Sequence, residues 1–206
     1  MSTKSIERSF EQHIQTAKAS QEKLQAEVAD AGQLIVKTIA SGHTVFICGN
    51  GGSAADAQHI AAEFTGRFVT ERIGLPAIAL TTDTSALTAI GNDYGYARIF
   101  SRQLEALGKA GDLLLAISTS GNSPNIIEAL RTAKTKGMVT LGLSGKDGGQ
   151  MNDNCDVNIV VPSAVTARIQ EMHILIGHIF CELVDEWYGS SSKNNDTAEN
   201  EKSTLS

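Results

Sequence analysis

No run of 18 or more apolar residues occurs in the sequence, so no segment is suited to crossing a membrane as a helix. The first residues, MSTKSIERSFEQH, lack the apolar core of a secretory signal. A basic excess is also missing. Lys and Arg number 17 against 23 Asp and Glu, a formal net charge of −6, which offers nucleic acid no electrostatic footprint. Cysteine is scarce: Cys48, Cys155 and Cys181 are odd in number and far apart. That excludes a disulfide frame and fits buried free thiols in a reducing cytoplasm. The sequon at 195–197 has no meaning without secretion. What remains is a chain of 206 residues, 41% apolar and 19% charged, long enough for one globular domain with a sizeable core.

That domain is organised around residues 44–68, TVFICGNGGSAADAQHIAAEFTGRF. The apolar run Thr44–Cys48 predicts a buried strand. Gly49-Asn50-Gly51-Gly52 allows a tight turn, Ser53 is a plausible N-cap, and Ala54–Phe68 predicts a helix. A glycine turn opening onto a helix start suits an anionic or polyhydroxy ligand, because free N–H groups and the positive dipole end meet there. Gly49-x-Gly51-x-x-Ala54 also matches a dinucleotide fingerprint. That motif wants an acidic residue about 20 positions on, and Asp83, the first after the next strand, lies well beyond. His59 and Glu63, four apart on the same helix, share one face, either as a solvated pair or as part of a site.

Helical spacing predicts helices over 4–29 and 31–41, the first packing at least in part on another subunit. Strands are predicted at Leu75–Leu80, Asp112–Ile117, Val139–Ser144 and Val157–Val161. Helices are predicted at Ser85–Ile90, Ala97–Leu107, from Pro124 through Lys136, and at Ser163–Tyr188, with residues 91–95 as a break. Residues 189–206, polar and without aromatics, read as a disordered tail. Strands of this kind alternating with helices mean an α/β fold: a five-stranded parallel sheet with helices on both faces. The loops at 49–53 and 118–123, and Asp83, all leave carboxyl ends of strands and can face one pocket.

The second loop, Ser118-Thr119-Ser120-Gly121-Asn122-Ser123, carries four hydroxyls before a helix with Pro124 in its first turn. It suits a phosphate held by dipoles and hydrogen bonds, since no Lys or Arg lies within it. On the last helix, Gln170 and His178 are eight residues apart, about 12 Å along an ideal helix. With His59 and Glu63 they offer two nitrogen and two oxygen donors, a set that suits zinc or a similar ion if the side chains lean together or come from different copies.

As a set, CGNGGSAADAQHIAAEFTGRF, GND at 91–93, ISTSGNSPN at 117–125, LSGKDGG at 143–149 and TARIQEMH with His178 closely resemble the sedoheptulose 7-phosphate (phosphoheptose) isomerases of the sugar isomerase, or SIS, domain family. The resemblance covers about residues 1–188. It implies N-terminal helices over 1–42, an SIS domain over 43–188 as a three-layer sandwich, and a cytoplasmic homotetramer with sites between subunits. It also implies an aldose–ketose isomerase that converts D-sedoheptulose 7-phosphate to D-glycero-D-manno-heptose 7-phosphate through an enediol, opening the route to nucleotide-activated heptose. By the same resemblance Ser118, Thr119, Ser120 and Ser123 hold the phosphate. Asn50, Gly51, Gly52, Asn92, Asp93 and Gln170 line the sugar. His59, Glu63, Gln170 and His178 bind one Zn2+ per subunit, and Glu63 and His178 are the acid/base pair. A non-catalytic relative that binds the replication initiator is similar throughout. It lacks the equivalents of Glu63 and His178 and reads GNGTS in the first loop, whereas this chain keeps both residues and Gly52.

Overall fold

The strand at the centre of the molecule is the least polar stretch of the sequence. In the computed structural model, which describes residues 3–203 and side chains as far as Ser190, Leu113–Ser118 is buried at every position and flanked by strands on both sides. In chain order the elements are α1 (Thr3–Ala40), β1 (Val45–Gly49), α2 (Gly52–Thr65), β2 (Ala77–Ala79), α3 (Thr84–Tyr94), α4 (Ser101–Leu107), β3 (Leu113–Ser118), α5 (Pro124–Thr135), β4 (Val139–Gly145), α6 (Met151–Asn154), β5 (Val157–Val161) and α7 (Thr166–Ser203). A single 3-10 turn, Tyr96–Arg98, joins α3 to α4.

The five strands lie in the order β2-β1-β3-β4-β5, and every neighbouring pair is parallel. Successive side chains point to opposite faces, so β1 sends Val45 and Ile47 to one core and Phe46 and Cys48 to the other. The first core is closed by α1, α2 and α7, the second by α4 and α5. This is the expected three-layer sandwich. The order reverses between β1 and β3: from β1 the chain crosses to β2 on one side, and from β3 to β4 on the other. Ligands of open parallel sheets collect at such a switch point, beyond the strands' carboxyl ends.

Several boundaries depart from expectation for identifiable reasons. The two helices expected over 4–29 and 31–41 are one, α1. Gly32 does not break it. A Cβ there would lie 2.3 Å from Leu183 Cδ1, so the glycine lets α1 and α7 approach closely. The break expected at 91–95 is helix as far as Tyr94, and the stop is Gly95, with φ of +83°. Asp83, expected to face the pocket, uses its carboxylate to accept from Ala86 N at 2.9 Å and cap α3. The residues expected as a tail from 189 continue α7 to Ser203, with no proline to stop the helix. Side chains beyond Ser190 and residues 204–206 lie outside the described residues.

All three cysteines are free and buried. Burial raises the Cys48 thiol and pushes Cys155 and Cys181 up to about 12, which keeps them protonated and unreactive. Among the described residues no helix is long and apolar enough to cross a membrane.

Candidate active site

The first loop is shaped by three glycines with different tasks. At Gly49 a Cβ would meet Ser53 backbone O at 2.4 Å, so the turn could not close. Gly51 has φ of +57° and is the N-cap of α2. Ser53, the expected cap, is instead buried one residue inside the helix. At Gly52 a Cβ would lie only 1.7 Å from Gln170 Nε2, so the amide of Gln170 reaches α7's neighbour only because no side chain is there.

The second loop gathers its hydroxyls as expected. Ser118 Oγ is 3.1 Å from Ser123 Oγ and 3.5 Å from Ser120 Oγ. Ser123 stands at the N-cap of α5 but makes no cap bond, which leaves its hydroxyl directed at Ser118. Thr119 is half-buried beside them. Gly121, with φ of +65°, has room for no Cβ, since Gly148 O would be 2.0 Å away. The 145–149 turn thus presses on the serine loop from outside. The two loops are tied to each other. Asn50 Nδ2 donates to Asn125 Oδ1 at 2.9 Å, Asn125 Nδ2 donates back to Asn50 Oδ1 at 2.8 Å, and the Tyr96 hydroxyl donates to the same Oδ1 at 3.0 Å. Asn125 is buried, and its only signal in the sequence is its place directly after SGNSP.

The third group lies between α2 and α7. His178 Nε2 is 3.0 Å from His59 Nε2, and His59 Nε2 is 3.3 Å from Glu63 Oε1. The helices come this close because Gly177 faces Ile60, where a Cβ would lie 2.5 Å from Ile60 Cδ1. Phe68 stacks on the His178 ring, centroids 5.6 Å apart and planes 26° from parallel. Asp56, one turn before His59, is buried, and its Oδ2 has no hydrogen-bond partner. Burial pushes its carboxyl up, while His59 and His178 pull it down. Its signal in the sequence was the three-residue spacing to His59 on a helix.

The structure therefore brings together His59, Glu63 and His178; Gly52 and Gln170; Ser118, Ser120 and Ser123; and Asn50 with a partner on the second loop. Asn92 and Asp93 sit exposed in the last turn of α3, where Asn92 Nδ2 donates to Asp93 Oδ1 at 2.8 Å, and no hydrogen bond joins them to the other expected site residues. The Gln170 amide lies against Gly52 in the first turn of α2, seven residues and about 10 Å of backbone rise before His59, a gap that the two side chains would close only by leaning toward each other.

As ligands for an ion, the donors fit in kind. The 3.0 and 3.3 Å separations resemble the edge of a tetrahedron with bonds of about 2.0–2.1 Å, which is about 3.4 Å. Two facing imidazole nitrogens can share only one proton, whereas an ion uses both lone pairs. Among the described residues no three His, Cys, Asp or Glu side chains enclose an ion by themselves. The remaining positions would fall to an amide such as Gln170, to substrate oxygens or to another copy of the chain.

A model of the SIS domain matches residues 9–145. The chain is 58% identical over 180 residues to the phosphoheptose isomerase of Aliarcobacter butzleri, spanning 87% of this chain and 95% of that protein. It also matches the solved structure of the phosphoheptose isomerase from Neisseria gonorrhoeae at 45% identity and a TM-score of 0.85, over 89% of this chain and 98% of that one. The phosphoheptose isomerase of Francisella tularensis superposes with a TM-score of 0.88 at 39% identity, over 90% of this chain and all (100%) of that one.

Proposed function

The chain belongs to the phosphoheptose isomerases of the SIS domain family, and from that membership we infer that it interconverts a phosphorylated seven-carbon ketose and its aldose. The substrate pair is D-sedoheptulose 7-phosphate and D-glycero-D-manno-heptose 7-phosphate, a cytoplasmic step toward nucleotide-activated heptose. The observation that carries this reading is the convergence of Glu63 and His178 on His59 at the side of α2, on the helix that opens at the glycine loop.

Interconversion moves a proton between C1 and C2 through an enediol, and a second proton between the two oxygens. Glu63 is the carboxylate placed to take the carbon-bound proton, and its side chain is already three-quarters withdrawn from water (25% exposed). His178 carries the hydroxyl proton, its ring held flat by Phe68. The hydroxyls of Ser118, Ser120 and Ser123, at the start of α5, hold the phosphate and fix the sugar's far end. Asn50, kept in place by Asn125 and Tyr96, and the Gly51–Gly52 backbone line the path between phosphate and acid/base pair. His59, Glu63 and His178, with Gln170, are the residues that would hold a zinc ion. Bound there, zinc would stabilise negative charge developing on the sugar oxygens.

The same reading includes a homotetramer. Ile6, Phe10 and Ile14 on α1 are 58%, 67% and 51% exposed. Beside them α1 and α7 leave a groove of about 640 Å3 lined by Ile14, Leu24, Val28, Leu175 and Ile179. Other copies of the chain would cover this face.

The test is turnover of sedoheptulose 7-phosphate by purified protein and by Glu63→Gln. Removing the carboxylate should lower kcat by about 100- to 10,000-fold with the fold unchanged. Wild-type turnover in the variant would remove the assignment.

A further inference from the structure

We propose that Arg72 and Asp185 form a clasp that sets the placement of Glu63 against His178, with Phe68 as the part of it that touches the site. The inference rests on the assignment of Glu63 and His178 as the proton-transfer pair and adds residues that touch neither sugar nor phosphate.

Glu63 and His178 stand on different helices, and a proton-transfer pair tolerates little relative movement. Something must fix α2 against α7 near these two residues. Arg72 and Asp185 are the most deeply buried ion pair among the described residues, with side chains 0% and 5% exposed. Arg72 Nε donates to Asp185 Oδ1 at 2.8 Å. The rest of its guanidinium is spent on the carboxyl end of α2: Nη2 donates to Glu63 O at 2.9 Å, and Nη1 donates to Phe64 O at 2.9 Å. Nη1 also reaches Ile73 O at 3.2 Å and Gly66 O at 3.4 Å. A helix end exposes such carbonyls, and a cation there answers both the unmet hydrogen bonds and the dipole. Glu63 is therefore held through its own backbone.

The other half of the clasp acts on His178. Asp185 lies two helical turns beyond His178 on α7. Its Oδ2 accepts from Val69 N at 2.9 Å and Thr70 N at 2.8 Å. Those are the residues directly after Phe68, whose ring lies on the His178 imidazole. Burial pushes the Asp185 carboxyl up, but the Thr70 and Val69 N–H groups and the Arg72 guanidinium together bring it below the usual carboxylate range. The group stays ionised and keeps all three bonds. Thus one carboxylate fixes the loop that carries Phe68 and the guanidinium that carries Glu63. A buried ion pair is a poor source of stability, because desolvation consumes most of its attraction. What this one supplies is direction, through planar donors and acceptors aimed at particular backbone atoms.

The experiment compares Asp185→Asn, Phe68→Leu and Glu63→Gln in the full chain, with sedoheptulose 7-phosphate as substrate and rates expressed per folded molecule from thermal melts. Asp185→Asn keeps the shape but turns an acceptor into a donor facing donors. Phe68→Leu removes the ring from a half-buried position and leaves the ion pair intact, so it decides the matter should Asp185→Asn fail to fold. A misplacement of about 1 Å in a proton-transfer pair costs on the order of 100-fold. Both variants should lower kcat about 10- to 100-fold while KM stays within about twofold. A purely structural role would lower the melting temperature and leave kcat per folded molecule unchanged, and that result overturns the proposal. Should Glu63→Gln turn over at the wild-type rate, the underlying assignment is what fails; an inactive Glu63→Gln beside fully active Phe68→Leu refutes the clasp alone.

Discussion

Replacing Gly52 by alanine adds one methyl group to this protein and separates activity from stability. At residue 52 the added Cβ would lie 1.7 Å from Gln170 Nε2, 2.6 Å from its Cδ and 2.8 Å from its Oε1. Ordinary carbon contacts lie at about 3.5–4.0 Å, so the amide of Gln170 must retreat by about 2 Å. Backbone strain is not at issue, since the positive φ in this loop belongs to Gly51 and Gly52 is the first residue of α2. The methyl meets the far end of a flexible side chain, which can swing away at small cost. Alanine is also the better helix former by about 1 kcal/mol. The net change in unfolding free energy should stay within about 1 kcal/mol of zero. Activity should not. If Gln170 lines the sugar as proposed, moving it by about 2 Å removes that contact, and misplacement of even about 1 Å can cost on the order of 100-fold. We expect kcat/KM to fall about 100-fold, near 3 kcal/mol of transition-state stabilisation, with an unchanged circular dichroism spectrum and a melting temperature shifted by a few degrees at most. The assay is initial-rate isomerisation of sedoheptulose 7-phosphate beside a thermal melt. Wild-type kcat/KM in Gly52→Ala would refute the reasoning and show that the position of Gln170 does not bear on the reaction.

Further outcomes follow from the rest of the site. Ser120→Ala with Ser123→Ala removes two hydroxyls from the cluster around Ser118 and should raise KM for the phosphorylated sugar about tenfold or more with little change in kcat; an unchanged KM would place the phosphate elsewhere. Dialysis against a chelator should lower turnover, and zinc should restore it with about one ion bound per chain by elemental analysis; full activity in metal-free protein would end that part of the reading. His173 should make the fold acid-sensitive. It is fully buried, with Nε2–H donating to Ser144 O at 2.9 Å and Nδ1 unpartnered, and burial lowers its pKa from 6.5 to about 4. The unfolded chain then binds the proton more readily, so stability is complete above about pH 6.5 and falls as the pH drops toward 4, by about 3 kcal/mol in total. In His173→Leu, melting temperature plotted against pH should flatten over that window; an unaltered slope would show that other groups carry the acid response.

What could be read in the chain and what could not differ in the range of the interaction responsible. β3 was legible because Leu113–Ile117 is apolar without a break, and only a strand buried on both faces tolerates that. The glycine and serine loops were legible because their composition is itself the chemistry of a helix start. Misreadings came where a residue's local meaning was overridden by a neighbour distant in sequence. The break expected between 29 and 31 is absent, and Gly32 just beyond it serves not as a helix stop but as room for Leu183, a residue far along the chain on α7. Gly91 looks like the start of a turn, yet Gly95, four residues on, is the one with the positive φ that ends the helix. Asn125 carries little local signal beyond its place after SGNSP, Arg72 carries none, and their partners, Asn50 and Asp185, are 75 and 113 residues away. Within the candidate site, the legible residues are therefore those whose type alone announces their chemistry. The illegible ones hold those residues still, and a polar side chain becomes a support only once the fold has brought its partner to it. If that division is right, losses at Gly52, Glu63 and the serine loop will follow the chemistry of the removed group. Losses at Asp185 will follow geometry, and adding a ligand group or a metal ion will not repair them.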